Sequence, residues 1–525
     1  MSLGFGLGVE KFVSVPFNPA SLFTDGAVGV LFDNNDLSTF YSDFTGSTQA
    51  VINGPVGLQL DKSQGLVLGP ELAVNGDFST DTWWTKSGAT VTISDGTGNF
   101  TASPNTSFLR ASSGILTVGS LYEVTWTITS ISAGGLYLHD GSQNLPTKSS
   151  PGTYTERFTA IGVNFFIVST GASTTASIDN VSIKKVLGNH RYQSSSTSRP
   201  TLRGTPTGGT LVTNGDFASG LTGWTNPDTA PATTTASGGT VTMNNGTTGT
   251  ARLRQALTVS AGSYLITFTV TGFSGATNLS NLSIGNTTNG DITYGSVGIS
   301  ANGTYTRYVN NVTGPTLGLA FIISAGTATS FTLDNVSVVN VSSGSVTAPY
   351  GLQQDGTDDG MLTSSIDMSA SDKLLVCMGA QCLASASSAI FVESSVNVGA
   401  NAGTFYISMP ESANNIGHRV RGSLAGGTGT VAGYTAPYRQ VMTLIGDIAG
   451  DVNTLRANGV QIGTSAVDEG TGNLGNYPLY FGRRAGTSLP FNGLDFGGVI
   501  VNKTLTATQI TACEKWVALR TGVSF

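Results

Sequence analysis

The chain has 525 residues, with 24 Lys and Arg against 31 Asp and Glu, a formal net charge of −7. Only 10% of its residues are charged, against about a quarter in ordinary soluble domains, and 70 are glycine. This length argues for roughly three to four domains, and the acidic balance without a Lys/Arg cluster argues against a nucleic-acid face.

Residues 1–19 read as an N-terminal arm. Phe12, Val13, Val15 and Phe17, with Pro16 and Pro19, suggest an extended segment. The first ten residues have neither a basic stretch nor a continuous apolar core, so no secretory signal is expected there. No apolar run in the chain approaches the ~18 residues of a membrane span, and no membrane insertion is expected.

Residues 20–65 carry Ser21-Leu-Phe23, Gly29-Val-Leu-Phe-Asp33, Asp36-Leu-Ser-Thr-Phe40 and Pro55-Val-Gly-Leu-Gln-Leu-Asp-Lys-Ser63. This ordered series resembles the opening segment of phage fibre proteins, where it precedes a laminin-G-like domain. Phe32 stands where that family usually has Trp or Tyr, and Asn34 where it usually has Pro. The family pattern continues into a Gly-Asn-His segment and an Arg-Pro-x-Leu segment. Here it stops at Gly65 and resumes at Gly188-Asn-His190 and Arg199-Pro-Thr-Leu202. Residues 20–65 are therefore read as an attachment segment, with 188–205 part of the same parent module, and 66–187 as an inserted domain. Insertions succeed at exposed loops and where module termini lie close together.

Two repeats follow this logic. Asn75-Gly-Asp-Phe78 with Asp179-Asn-Val-Ser182 recurs as Asn214-Gly-Asp-Phe217 with Asp334-Asn-Val-Ser337. Tyr122, Val124, Trp126 and Ile128 alternate with polar residues, as Tyr264, Ile266, Phe268 and Val270 alternate with Leu265, Thr267 and Thr269. Period two marks strands with one buried face, so Trp126 and Phe268 are expected in the core. The copies, 66–187 and 206–343, resemble carbohydrate-binding modules of the galactose-binding-like jelly-roll type.

Residues 344–525 form the last unit. Leu455-Arg-Ala-Asn-Gly-Val460 predicts a tight hairpin at Asn458-Gly459. Cys377 and Cys382 fall on opposite faces of one strand, and these with Cys513 are read as free thiols. Thr506 caps a predicted helix with Ile510, Cys513, Val517 and Arg520 at helical spacing and Gly522 beyond its end. This unit resembles a laminin-G or concanavalin-A-like sandwich. The fold class expected for the whole chain is all-β and multi-domain: two jelly rolls plus that sandwich with a short C-terminal helix.

Candidate sites are sparse. Trp83, Trp84 and Trp224 are candidate glycan platforms, because a flat ring buries the C–H face of a sugar. Tyr137, His139 and Asp140 bring an aromatic ring, an imidazole and a carboxylate together and are candidate hydrogen-bonding partners for glycan. Asp77, Asp179, Asp216 and Asp334 recur in both copies. In related jelly rolls carboxylates near the first and last strands hold a structural calcium, so the resemblance offers these four as calcium ligands, with turn fixation the alternative. The turn Asp355–Asp359 is read as solvated. No phosphate loop, His-Glu-x-x-His or nucleophile elbow is present, and no enzyme activity is expected.

The combined expectation is a phage virion protein (tail fibre, spike or head fibre), surface-exposed and binding host-surface glycan through several weak sites. Its expected partners are other virion proteins and its own copies, with a trimer favoured by analogy to fibres. The alternatives are a capsid or tail decoration protein without a receptor role, a glycan depolymerase and a secreted adhesin.

Overall fold

The computed structural model describes residues 17–287, 291–424, 426–465 and 467–525. Sixteen residues of the expected N-terminal arm, 1–16, lie outside this range. The chain is all-β and multi-domain, with one α-helix among the described residues.

The parent sandwich is assembled from three separate stretches of sequence. One sheet of eight strands runs Thr201–Pro206, Val346–Asp355, Asn492–Val501, Lys373–Cys382, Tyr438–Asp447, Val452–Ala457, Val460–Ser465, with Gly29–Asp33 also paired to Asn492–Val501. Nine strands form the other sheet, from Phe40–Tyr41 through Leu58–Gln59, Arg191–Tyr192 and Met361–Thr363 to Gly429–Ala432. Residues 20–65 are thus not a segment set apart from the C-terminal unit. Gly29 pairs with Val501 and Asp33 with Gly497, in the middle of the sandwich. The reason is visible in Val30-Leu-Phe32: all three are buried, so the strand needs a cover on both faces.

A polar stitch ties the three stretches together. Arg191 is fully buried, its guanidinium 4.4 Å from the Phe32 ring centroid and 4.7 Å from that of Phe481. It pairs with buried Asp495 and donates to Gln59 Oε1 at 2.8 Å. Asp61 accepts from the backbone N–H of Leu31 at 2.7 Å and of Asn189 at 2.7 Å. Burial raises the Asp61 carboxyl above its ordinary range, against the pull of its hydrogen bonds from Ser63, Asn189 and Leu31. Removing one partner of such a buried set costs more than the set contributes, because the other charge is left unpaired.

Both inserted sandwiches leave and rejoin the parent through adjacent antiparallel chains. Leu187 N–H donates to Val67 O at 2.9 Å at the base of the first insert, and Thr207 N–H to Ser345 O at 3.0 Å at the base of the second. In the first, the strands Leu121–His139 and Phe166–Val186 run through both layers, so eight strands form one continuous sheet. They turn the corner at Gly134 and Gly171, with φ of +75° and +102°, and the register shifts between Thr170 and Thr175. In the second, the same path is broken into Gly262–Ser274 with Ser280–Gly285, and Thr316–Ile323 with Ser330–Asn340. Separate sheets of five and four strands result. Trp126 and Phe268 are both fully buried, as their alternation requires.

The helix Ala507–Thr521 has Thr506 and Gln509 in a reciprocal capping box and Gly522 at φ +71° beyond its end. Cys513, Val517 and Ala518 pack on Leu375, Cys377, Val441 and Val499, covering the outer face of the eight-stranded parent sheet. Cys377 faces this layer while Cys382 faces the inter-sheet core, and all three Cys are free and buried. No described helix is long and apolar enough to cross a membrane.

Candidate functional site

The twinned motifs form clasps that close each inserted sandwich. Val181 N–H donates to Gly76 O at 2.8 Å, and Val336 N–H donates to Gly215 O at 2.8 Å. A Cβ on either glycine would lie 1.9 Å from the valine carbonyl oxygen, so only glycine fits. Asn75 Nδ2 donates to Thr80 O and Thr82 O, as Asn214 Nδ2 donates to Gly220 O and Thr222 O. Trp84 Nε1 donates to Asn75 O at 2.8 Å, and Trp224 Nε1 to Asn214 O at 3.2 Å.

This geometry corrects two candidate sugar platforms. Trp84 and Trp224 are 5% and 8% exposed, packed on Phe78 with Phe165 and on Phe217 with Phe321. Neither presents a ring face to a ligand. Trp83 is half-buried, edge-on to Trp84 at 4.9 Å, with φ of +72°. Left-handed backbone is costly for so bulky a residue, and the surrounding clasp holds it there.

The four repeated carboxylates cap their own turns. Asp77 accepts from Ser79 N–H at 3.2 Å and Ser79 Oγ at 3.0 Å, which lowers its carboxyl below the ordinary range. Asp216 accepts from Ala218 N–H at 3.3 Å. Asp179 and Asp334 each accept the backbone N–H and side-chain amide of the following Asn, at 2.6 and 3.1 Å and at 2.6 and 3.0 Å. Among the described residues, three carboxylates reach ligand spacing elsewhere: Asp355, Asp358 and Asp359 offer oxygens within 4.8 Å of one another. That turn is not simply solvated. Asp359 is 8% exposed, and burial, with Asp355 beside it, pushes its carboxyl up to about 7.

Asp140 is fully buried and has a structural task. Its carboxylate accepts from the N–H groups of Ser142, Gln143, Ile161 and Gly162 at 2.8–3.1 Å and from Gln143 Nε2 at 2.9 Å. Burial raises its pKa, but the bonds from Ile161, Gln143 and Ser142 outweigh that and lower it. Tyr137 and His139 are half-buried at the end of the strand that runs into Asp140, the His139 ring 5.4 Å from Phe166 and its Nδ1 2.7 Å from Gln143 O. Asp140 and His139 therefore brace the loop 140–146 from behind.

That loop is one wall of a groove of about 670 Å³ between the first inserted sandwich and the parent. The floor is the edge strand Gly152–Thr159 and its neighbour, with Glu123, Thr155 and Arg157 on one face and Glu156 on the other beside Trp126, and the opposite wall is the parent loop at Thr45-Gly-Ser47. Asp43 pins this second wall, accepting from Ser47 N–H at 3.0 Å, Thr48 N–H at 2.8 Å and the Thr45 hydroxyl. Its pKa is raised by burial but lowered on balance by these bonds. Arg157 binds Glu123 through Nε at 2.9 Å and a terminal nitrogen at 2.8 Å. Lys148 Nζ lies 2.9 Å from Glu156 Oε1 and 5.4 Å from the Tyr154 ring centroid, while Trp126 Nε1 donates to Glu156 Oε2 at 3.1 Å. Burial depresses Arg157, yet Glu123 and Tyr41 hold it above its ordinary value. A concave site of this size, with ordered polar groups and an apolar strip at Leu145 and Pro146, suits a small ligand.

Sequence reasoning did not single out Glu123, Lys148, Glu156 or Arg157. Tyr122-Glu-Val and Glu156-Arg-Phe lie on paired strands, and their cross-strand register, which the structure supplies, makes Glu123 face Arg157. Two further hollows lie elsewhere. One of about 670 Å³ joins parent residues 51–54 to the second insert at Asn310 and Asn311. The other, about 800 Å³ and mainly apolar, lies between Phe17 and the helix residues Trp516 and Leu519.

No protein-family model matches the chain, and no curated protein matches it. Among solved structures it is similar to a botulinum neurotoxin serotype D binding domain at 11% identity and TM-score 0.25, covering 32% of this chain and 43% of that one. It is also similar to a Bacteroides ovatus ATCC 8483 protein described as a candidate carbohydrate binder, at 12% identity and TM-score 0.22, covering 50% and 79%. A third is from Sulfolobus Turreted Icosahedral Virus, at 10% identity and TM-score 0.16, covering 80% and 91%. The chain spans less than half the length of the neurotoxin binding domain it matches. At these TM-scores none of the three carries functional weight.

Proposed function

We propose that this chain is a virion surface protein that binds host-surface glycan without cleaving it. The observation that carries the reading is the groove between the parent loop at 45–47 and the first inserted sandwich. Both of its walls are pinned by buried or half-buried aspartates that receive several backbone N–H bonds, Asp43 on one side and Asp140 on the other. Rigid walls matter because an oligosaccharide loses much freedom on binding, and a preformed site adds no ordering cost of its own. The virion setting is supported by the series Gly29-Val-Leu-Phe-Asp33 to Asp61-Lys-Ser63, which resembles phage fibre proteins.

Binding rather than hydrolysis is supported by the state of the two groove carboxylates. A glycosidase needs one carboxyl held protonated as acid and another available as base or nucleophile. Glu123 is bound by Arg157, and Glu156 by Lys148 and Trp126. Single-site affinity is expected to be weak, with several copies on a particle supplying avidity.

The test has two arms. Purified full-length chain on a glycan array should retain a defined set of host oligosaccharides, and incubation with host polysaccharide should release no reducing ends. Labelled antibody on intact particles should then mark the tail tip or fibres. Label on the capsid lattice with an empty array would favour a decoration protein, and sugar release would make the chain a depolymerase.

A further inference from the structure

Resting on the glycan-binding reading, we infer that the groove of the first inserted sandwich is selective for neutral oligosaccharides and turns away acidic ones. The argument begins with its charges. Four ionisable groups line it, Glu123, Lys148, Glu156 and Arg157, and they form two closed pairs. Arg157 spends two nitrogens on Glu123 at 2.8 and 2.9 Å, and Lys148 sits at 2.9 Å from Glu156. An approaching uronate, sialate or sulfate meets each cation together with its carboxylate. Attraction and repulsion then nearly cancel, while the anion still sheds water.

These pairs are held in place rather than transient. The Glu123–Arg157 pair spans directly opposed positions on two hydrogen-bonded strands. Glu156 is fixed on its second oxygen by Trp126 Nε1 at 3.1 Å, and Trp126 itself is fully buried. The Tyr154 ring covers Lys148 at 5.4 Å. A competing anion would have to break one of these arrangements and strand a half-buried carboxylate, which costs more than a solvent-exposed exchange.

What remains for recognition is neutral. The exposed Asn144 and Thr155 offer amide and hydroxyl chemistry, and Leu145 with Pro146 forms an apolar strip that fits the C–H face of a pyranose. Sugar hydroxyls can both donate and accept, so they can bond to the outer edge of an ion pair from either side without disturbing its charge balance.

The experiment uses the full chain and two panels of oligosaccharides matched in length, one neutral and one carrying uronate, sialate or sulfate groups. Binding is read by calorimetry at about 50 mM and about 500 mM NaCl, salt levels that separate screened from unscreened charge contacts. The inference expects neutral ligands to bind with an affinity that changes less than about twofold between the two salts. Acidic ligands should bind at least about tenfold more weakly. The variant E123Q should convert the groove, because Arg157 then lacks its counter-charge: acidic ligands gain affinity and that gain disappears in high salt. Circular dichroism and thermal melting of E123Q establish that the variant is folded. Preference of the wild-type chain for acidic ligands, with steep salt dependence, would overturn this inference and leave glycan binding standing. Absence of binding to both panels would overturn the glycan reading itself.

Discussion

At the residue scale, the clasp glycines and one buried carboxylate are the positions where chemistry is least negotiable. G76A and G215A each press a methyl group to within 1.9 Å of a backbone carbonyl. Each should lower stability by about 2–3 kcal/mol, read as an earlier melt of its own insert, because the obstacle is main chain and cannot rotate away. Matching losses in both copies would establish the motif as a structural clasp. Glu469 tests the other extreme. It is fully buried, its Oε2 has no hydrogen-bond partner, and its Oε1 receives only a long 3.4 Å bond from Asn453. Burial pushes its carboxyl up to about 7 from an ordinary 4.5, with Asp451 and Asp468 adding repulsion and Arg419 opposing it. Between those values the folded chain holds a proton that the unfolded chain has released, so stability falls as pH rises through that window. E469Q should therefore match the wild-type chain near pH 4.5 and exceed it at pH 8. The expected gain is roughly 2–3 kcal/mol. Chemical denaturation at the two pH values measures it. His190 works in the opposite sense. Burial lowers it to about 4, so its contribution is present above its unfolded value near 6.5 and is lost as pH falls toward 4.

At the element scale, two loops and one strand pair make the candidate site, and each loop depends on an aspartate that does not line the groove. D43A removes the acceptor for Ser47 and Thr48 N–H groups. It should weaken glycan binding several-fold while leaving the melting temperature of the first insert unchanged, since Asp43 belongs to the parent. D140A leaves four backbone N–H groups without their acceptor in a buried turn. It should destabilise the insert by about 2–3 kcal/mol and weaken binding as a consequence. Calorimetry of binding beside differential scanning of unfolding separates the two effects. The element-level lesson is one of distance. Alternation made Trp126 a core residue from sequence alone, and the structure agrees. Trp83 and Trp84 do not alternate as in an extended chain, because Trp83 is left-handed and its ring lies edge-on to Trp84 against the same core; only the packing of Phe78 and Phe165 decided that Trp84 is the inner one. The groove was not legible because Thr45, Lys148 and Arg157 converge from a parent loop, an insert loop and an edge strand. No local period reports such a meeting.

At the scale of the whole molecule, insertion explains the order of the sequence. Replacing 66–187 by a short linker between Gly65 and Gly188 should leave a folded parent sandwich, because Val67 and Leu187 are already neighbours. That deletion exposes Leu58 and Leu60, which pack on Leu121 and Val186 of the insert, so lower solubility is expected alongside a retained cooperative melt. Removal of 17–65 should do the reverse and abolish the melt. It takes away the strand Gly29–Asp33, the Phe32 face of Arg191 and the Asp61 acceptor in one step. Comparing the two truncations by thermal melting tests whether the N-terminal stretch belongs to the sandwich core.

The sequence by itself determined the all-β class, the twinned motifs, the buried alternation and the capped C-terminal helix. These follow from short-range periods, turn residues and side-chain size, which act over a few neighbours. Only the tertiary structure decided that the repeated aspartates cap turns, that the N-terminal stretch lies inside the parent sandwich, and that two ion pairs share one groove. Those outcomes depend on which distant carbonyl, ring or charge ends up within a few ångströms of each side chain, and separation along the chain carries no information about that.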